Sequence, residues 1–155
     1  MQVRDAMTED VRIASPKQTI REAARMMAEI DAGFLPVGDN DRLVGMITDR
    51  DIAVRAVAQG KGPDTPVSEI MSREVKYCFE DDDIDDVARN MADLKLRRLP
   101  VLNEDKRLVG VISISDIALS EGPDPAGEAI CGISEPGGLH SQSLDGGRRG
   151  GAQLA

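Results

Sequence analysis

The sequence has no tryptophan, one tyrosine and two phenylalanines, so 2% aromatic content stands against 41% hydrophobic content. The core must therefore be aliphatic. Histidine occurs once, at His140, far from either cysteine. Cys78 and Cys131 lack CxxC spacing, which reads as two ordinary thiols in a reducing compartment rather than a metal or redox pair. No apolar run approaches the roughly 20 residues of a membrane span, and the N-terminus lacks the basic flank and apolar region of a signal peptide. The expected location is the cytoplasm, with no membrane partner. Excess positive charge is missing too: a net charge of -9 and a pI near 4.6 work against a nucleic-acid surface. A length of 155 residues suits one compact domain or two intimately packed repeats.

What is present is one stretch written twice. Arg42 to Ala53 reads RLVGMITDRDIA and Arg107 to Ala118 reads RLVGVISISDIA, identical at eight of twelve positions. Leu43 to Ile47 and Leu108 to Ile112 have the Val/Ile composition of buried strands, and helical spacing follows each. Thr48 and Ser113 stand at the N-cap position, with Asp51 and Asp116 three residues on. Two readings fit this pattern. In one it is a capping box that satisfies orphan helix donors. In the other, a strand running into a helix N-terminus presents backbone N–H groups and a positive dipole end to a phosphate. Duplication suggests two related pockets. Gly45 and Gly110 leave room for close backbone approach.

The rest of the chain repeats in step. VRDAM at Val3 to Met7 is echoed by VSEIM at Val67 to Met71, each a helical turn before an extended piece, Val11 to Ala14 and Val75 to Cys78. Helices are expected over Thr19 to Ile30, with Ile20, Ala23, Ala24 and Met27 inward, and over Asp83 to Leu94, with Ile84, Val87, Ala88, Met91 and Leu94 inward. The methionines read as core filling. The acidic run Glu80 to Asp86 suits a helix start better than a metal site, since it lacks the glycine and closing glutamate of a calcium loop. LPV at Leu35 to Val37 and Leu99 to Val101 follows, its proline expected at a sheet edge or end, and a hairpin leads back into the duplicated stretch. Each repeat is thus strand, helix, strand, strand, helix, in an α/β chain. Residues 1–60 form the first repeat, 61–66 a linker with Thr65 and Pro66 suited to cap and open the next turn, and 67–120 the second. Residues 121–155, rich in Gly and Ser, read as a flexible tail.

This order of elements, with the LPV and the doubled G-x-x-(T/S)-x-x-D, resembles a tandem pair of cystathionine beta-synthase (CBS) domains over roughly Met1 to Ser120. The TDRDI at Thr48 to Ile52 is similar to small stand-alone bacterial members. Arg98-Leu-Pro-Val with Ser113-Ile-Ser-Asp116 is similar to the AMP-holding repeats of the AMP-activated protein kinase gamma subunit. The resemblance implies a pseudo-twofold module that forms a disc-like homodimer, with clefts between the repeats that take AMP, ADP, ATP, NAD or S-adenosylmethionine. It implies that Asp51 and Asp116 accept from ribose hydroxyls, that Thr48, Ser113 and Ser115 hold phosphate oxygens, and that Arg98 neutralises phosphate charge. Ile13, Ala14, Tyr77 and Cys78 would flank the adenine.

The first repeat departs from the pattern. It has Gly33-Phe34 where the second has Arg97-Arg98, and Arg50 is the cation left to compensate there. On spacing alone, Arg97 and Arg98 also fit a solvated strand edge. The implied function is a regulatory sensor acting in trans on an unknown partner protein; the alternative is a ligand-independent dimerisation or adaptor protein. With no paired carboxylates at a catalytic spacing and no core histidine, an enzyme is not expected.

Overall fold

The computed structural model describes residues 1–134. Within the first repeat, helix α1 (Ile20–Ile30) begins at Thr19, whose hydroxyl accepts from the Glu22 N–H at 3.2 Å. It ends at Asp31 in the left-handed region, φ 53°. Strands β1 (Phe34–Asp39) and β2 (Arg42–Thr48) form an antiparallel hairpin, closed by Asn40 and Asp41 at φ 52° and 63°. Two successive left-handed residues match the right-handed twist of the flanking strands, and Asn and Asp tolerate that conformation. Helix α2 (Asp49–Asp51) continues as a π-helical turn over Ile52–Ala56 and a 3₁₀ turn over Val57–Gln59, ending at Gly60 with φ 77°.

The second repeat runs from the turn α3 (Val67–Ile70) through β3 (Cys78–Phe79), α4 (Ile84–Leu94), β4 (Arg98–Leu102) and β5 (Leu108–Ser113) to α5 (Ile114–Glu121). β3 pairs parallel with β4, and β4 antiparallel with β5. The first repeat lacks a full counterpart of β3; Ala14 makes one parallel bridge to Val37.

Two cores result, and the opening turn of each repeat packs into the other's. Val3 is fully buried against Ile84, Leu99 and Ile112, while Val67, Ile70 and Met71 join Leu35, Val37 and Ile47. Backbone hydrogen bonds fix the exchange. Thr8 and Val111 trade N–H and carbonyl at 2.9 and 3.0 Å, and Met46 and Ser72 do so at 2.9 and 2.8 Å. Gly45 and Gly110 lie beneath these crossings. A Cβ on Gly45 would come within 2.9 Å of the Ser72 carbonyl oxygen, and one on Gly110 within 2.8 Å of that of Thr8. The close approach that these glycines permit is thus to the other repeat's backbone.

Several expectations are corrected. Residues 123–133 form a helix, α6 (Pro123–Ile133), so the flexible tail does not start at residue 121. Proline in the first turn costs no hydrogen bond, and buried Ala126 and Ala129 dock α6 on α4 and α5. The remainder of that tail, with His140, lies outside the described residues. Pro100 is on the central strand β4 rather than at an edge. The equivalent Pro36 shows how this is tolerated: its carbonyl accepts from Ala14 N–H at 2.9 Å, so the donor it lacks would face chain that precedes the bridge. Ala24 and Leu94 are exposed, and Met26 is buried instead. Pro66 is itself the N-cap of α3, while the Thr65 hydroxyl donates to the Gly62 carbonyl at 2.6 Å. In the acidic run, Asp83 caps α4 through the Asp85 N–H and Asp82 Oδ2 accepts from Phe79 N–H, both at 2.9 Å.

Candidate functional site

Each duplicated stretch ends at a strand-to-helix corner, and the two corners have the same geometry. The Thr48 hydroxyl accepts from the Asp51 N–H at 3.0 Å, and Asp51 Oδ2 accepts from the Thr48 N–H at 3.0 Å. The Ser113 hydroxyl accepts from Asp116 N–H at 3.1 Å, and Asp116 Oδ2 accepts from Ser113 N–H at 2.9 Å. Both are full capping boxes. The cap uses Oδ2 of each carboxylate and makes no demand on Oδ1. Both aspartates are half-buried, so an oxygen there faces partial desolvation without being sealed in.

The neighbouring strand completes each corner. In register, Phe34 lies opposite Thr48 and Arg98 opposite Ser113. The chain clamps shut behind them, with Asp49 N–H donating to the Gly33 carbonyl at 2.9 Å and Ile114 N–H to that of Arg97 at 3.0 Å. The second corner thus gathers Arg97, Arg98, Ser113, Ser115 and Asp116, two cations against one anion. Arg98 is exposed, and neither Arg97 nor Arg98 forms an ion pair with a described residue. The first corner has Asp49, Arg50 and Asp51, one cation against two anions, with Phe34 nearly buried in place of the arginine. A Cβ on its Gly33 would meet the Asp49 carboxylate, the free end of an exposed side chain that can turn aside. No residue pattern in the sequence signals that contact.

The residues placed near the adenine divide. Ala14 is fully buried in the first core and Cys78 is 5% exposed in the second, so only their backbones can line a cleft. Ile13 is half-buried beside Gly38. Tyr77 is 44% exposed and stands edge-on to Phe79 with ring centroids 5.6 Å apart. Ala14 is level with Val37 and Cys78 with Val101. Each is three strand residues from Phe34 or Arg98, about 10 Å along the sheet. A concavity of about 250 Å³ opens beside the first corner between Met27, Asp31, Gly33 and Asp49.

Burial pushes the Cys78 thiol up to about 12, with the Asp82 carboxylate adding to the effect. The folded state therefore holds this proton where the unfolded chain, near 9, has released it. The contribution is complete below pH 9 and is lost as pH rises toward 12, by about 1.4 kcal/mol per unit. The stability gap between wild type and Cys78→Ala is expected to shrink above pH 9 in urea titrations. At pH 8 a thiol reagent should label exposed Cys131 rapidly and Cys78 only in denaturant; fast labelling of both in the native protein would contradict this burial.

The family model for the CBS domain matches residues 3–57 and again 67–120. The chain belongs to the CBS-domain family. A CBS domain-containing protein of Bacillus subtilis, YhcV, is 41% identical over 133 residues, covering 85% of this chain and 94% of the relative. Hypoxic response protein 1 of Mycobacterium tuberculosis is 38% identical over 117 residues, covering 74% of this chain and 81% of its own length. Among solved structures, the CBS domain pair of protein MJ0100, in complex with 5′-methylthioadenosine and S-adenosyl-L-methionine, superposes with a TM-score of 0.70 at 33% identity, covering 79% of this chain and 96% of that one. CBS-domain pairs are ligand-binding regulatory modules, generally without catalytic activity. No described helix is long and apolar enough to cross a membrane.

Proposed function

We propose that this CBS-domain protein is a sensor of adenine nucleotides that controls a separate protein in trans, and that it acts as a homodimer in the cytoplasm. The observation that carries the reading is the second corner, where exposed Arg98 stands in register with Ser113 beside Asp116. A guanidinium, hydroxyls and a helix start suit phosphate oxygens, and the carboxylate oxygen that the cap does not use suits a ribose hydroxyl. The backbone at Tyr77 and Cys78, about 10 Å away along the sheet, is at the right remove for the base. The MJ0100 pair, with its two adenosyl compounds, supports the ligand class. Charge separates the corners: the second suits a phosphorylated ligand, and the first, with its excess carboxylate, suits one with fewer phosphates or with a positive centre. Ligand that favours one arrangement of the repeats would alter the surface shown to the partner.

Parallel calorimetric titrations with AMP, ADP, ATP, NAD and S-adenosylmethionine test this. Saturable micromolar binding of at least one is expected, and no heat or thermal stabilisation with any would sink the reading. Arg98→Ala should weaken AMP far more than adenosine, by roughly tenfold or more for a charge-assisted contact; equal losses would remove Arg98 from the phosphate role. A ligand-independent adaptor is the second reading, favoured by one observation: both aspartates already have work as helix caps.

A further inference from the structure

The residues Asp-Ile-Ala follow the same capping box in both repeats and take two different backbones. In the second repeat, Asp116-Ile117-Ala118 lies in the regular helix α5, and Ile117 is fully buried. In the first, Asp51-Ile52-Ala53 opens into the π-helical turn, and Ile52 is half-buried. The Val57 N–H is shared there between the carbonyl of Ile52, five residues back as in a π turn, and that of Ala53, four back as in an α-helix. One donor divided between two acceptors marks a helix with two registers within reach. Local sequence does not impose the wide register, since the same three residues are α-helical in α5. Packing does: Ala56 is fully buried, and its carbonyl accepts from the Lys61 N–H at 2.9 Å, at the start of the linker.

One segment runs from this turn to the other repeat's cleft. α3 packs against the π turn. Ser72, two residues beyond α3, trades N–H and carbonyl with Met46, which is two residues before Thr48. Tyr77 and Cys78 then reach the second cleft, with Cys78 level with Val101. Between these attachments, residues 73–76 make no backbone hydrogen bond to another described segment, so a shift at one end is not absorbed midway by the sheet. The matching segment, Val3 to Ala14, crosses β5 through Thr8 in the same way. The corner helix on its side is α5, which is α-helical throughout.

We infer that a ligand in the second cleft is felt in the first repeat. A base seated against the backbone of Tyr77 and Cys78 fixes the segment 67–78, and the π turn closes to the α register, burying Ile52 as Ile117 is buried. The relay has one responsive end, because the first corner helix has a register to change and α5 does not. Closing the turn takes up one residue, so the chain beyond it, with Val57 66% exposed, turns by about 100°. By linkage, a change that closes the turn tightens binding in the second cleft by the same factor.

The inference rests on the nucleotide reading of the second cleft, and the test separates the two. Hydrogen–deuterium exchange of the full chain is followed by mass spectrometry with and without AMP, with calorimetry to give occupancy and far-UV circular dichroism as the folding control. AMP should slow exchange in residues 52–57 by about fivefold or more, beside protection at Ser113 to Ala118. Arg98→Ala, at the AMP concentration that half-saturates wild type, should lose both effects. Deleting exposed Val54 takes the extra residue out of the π turn, in the repeat that does not hold AMP, and should raise AMP affinity by about fivefold or more. Two glycines inserted between Glu74 and Val75 slacken the segment. They should leave the protection at Ser113 to Ala118 and abolish it at 52–57. No binding of AMP to wild type overturns both the nucleotide reading and the relay. The relay alone is overturned by bound AMP with exchange at 52–57 unchanged, or by protection there that persists in Arg98→Ala or in the glycine insertion. A Val54 deletion that folds and keeps wild-type affinity also overturns it.

Discussion

Gly110→Ala should lower the free energy of unfolding by about 1–3 kcal/mol, the range for overpacking a tight contact. An added methyl would ordinarily help a strand slightly, by restricting the unfolded chain, for a gain of about 0.5–1 kcal/mol. Here the clash wins. The methyl would meet the Thr8 carbonyl oxygen at 2.8 Å and the Met7 sulfur at 2.8 Å. Met7 can swing aside, but Thr8 is held by two backbone hydrogen bonds to Val111, so relief requires the crossing segment to lift and Val3 to leave the second core with it. Gly45→Ala should act alike through Ser72 and Met71. Urea denaturation measures both effects. A stability within about 0.5 kcal/mol of wild type, the usual scatter for an inconsequential surface change, would mean that the exchanged turns do not hold the repeats together.

The second large effect concerns Asp116, where capping and ligand binding share one side chain. Asp116→Ala removes the acceptor for Ser113 N–H and should cost about 1 kcal/mol of stability, together with nucleotide affinity worth roughly 1.5–3 kcal/mol, or 10- to 150-fold. Asp116→Asn separates the roles. Its amide oxygen still accepts from Ser113 N–H, so stability should stay near wild type, while the weaker neutral acceptor should reduce affinity for the ribose. Titrations of both variants beside their melting curves give the answer. Wild-type affinity in each would assign Asp116 to capping alone and favour the adaptor reading.

The duplication explains why so much was readable beforehand. Local signals set the helices: Thr19 and Asp83 cap α1 and α4, and the inward positions recur at helical spacing. The hairpin turns and both capping boxes depend on residues within a few positions of one another. Ser113 and Asp116 are neighbours on the chain, and a short-range motif of this kind brings its own geometry. Arg98 opposite Ser113 follows once the hairpin register is known, because strand pairing propagates from the turn.

What the sequence could not disclose depends on contacts between distant segments. VRDAM and VSEIM look like the starts of their own repeats, yet each buries its valine in the other repeat, because only the assembled fold offers a hydrophobic slot beside β5 or β2. The last helix was hidden for a related reason: Ala126, Ala129 and Gly132 are small and carry little hydrophobic signal, and become meaningful only against Ala88 and Ala92. Ala14 and Cys78 lie next to site positions on the chain but point into the cores, a matter of strand facing that a single residue pair cannot fix. The doubled motif thus carried the resemblance to the family, and periodicity and capping residues set most of the elements and the geometry of the two corners, which are local properties. Tertiary packing alone decided which turn serves which core and which side chains reach a cleft, because burial is a property of surfaces brought together from opposite ends of the chain.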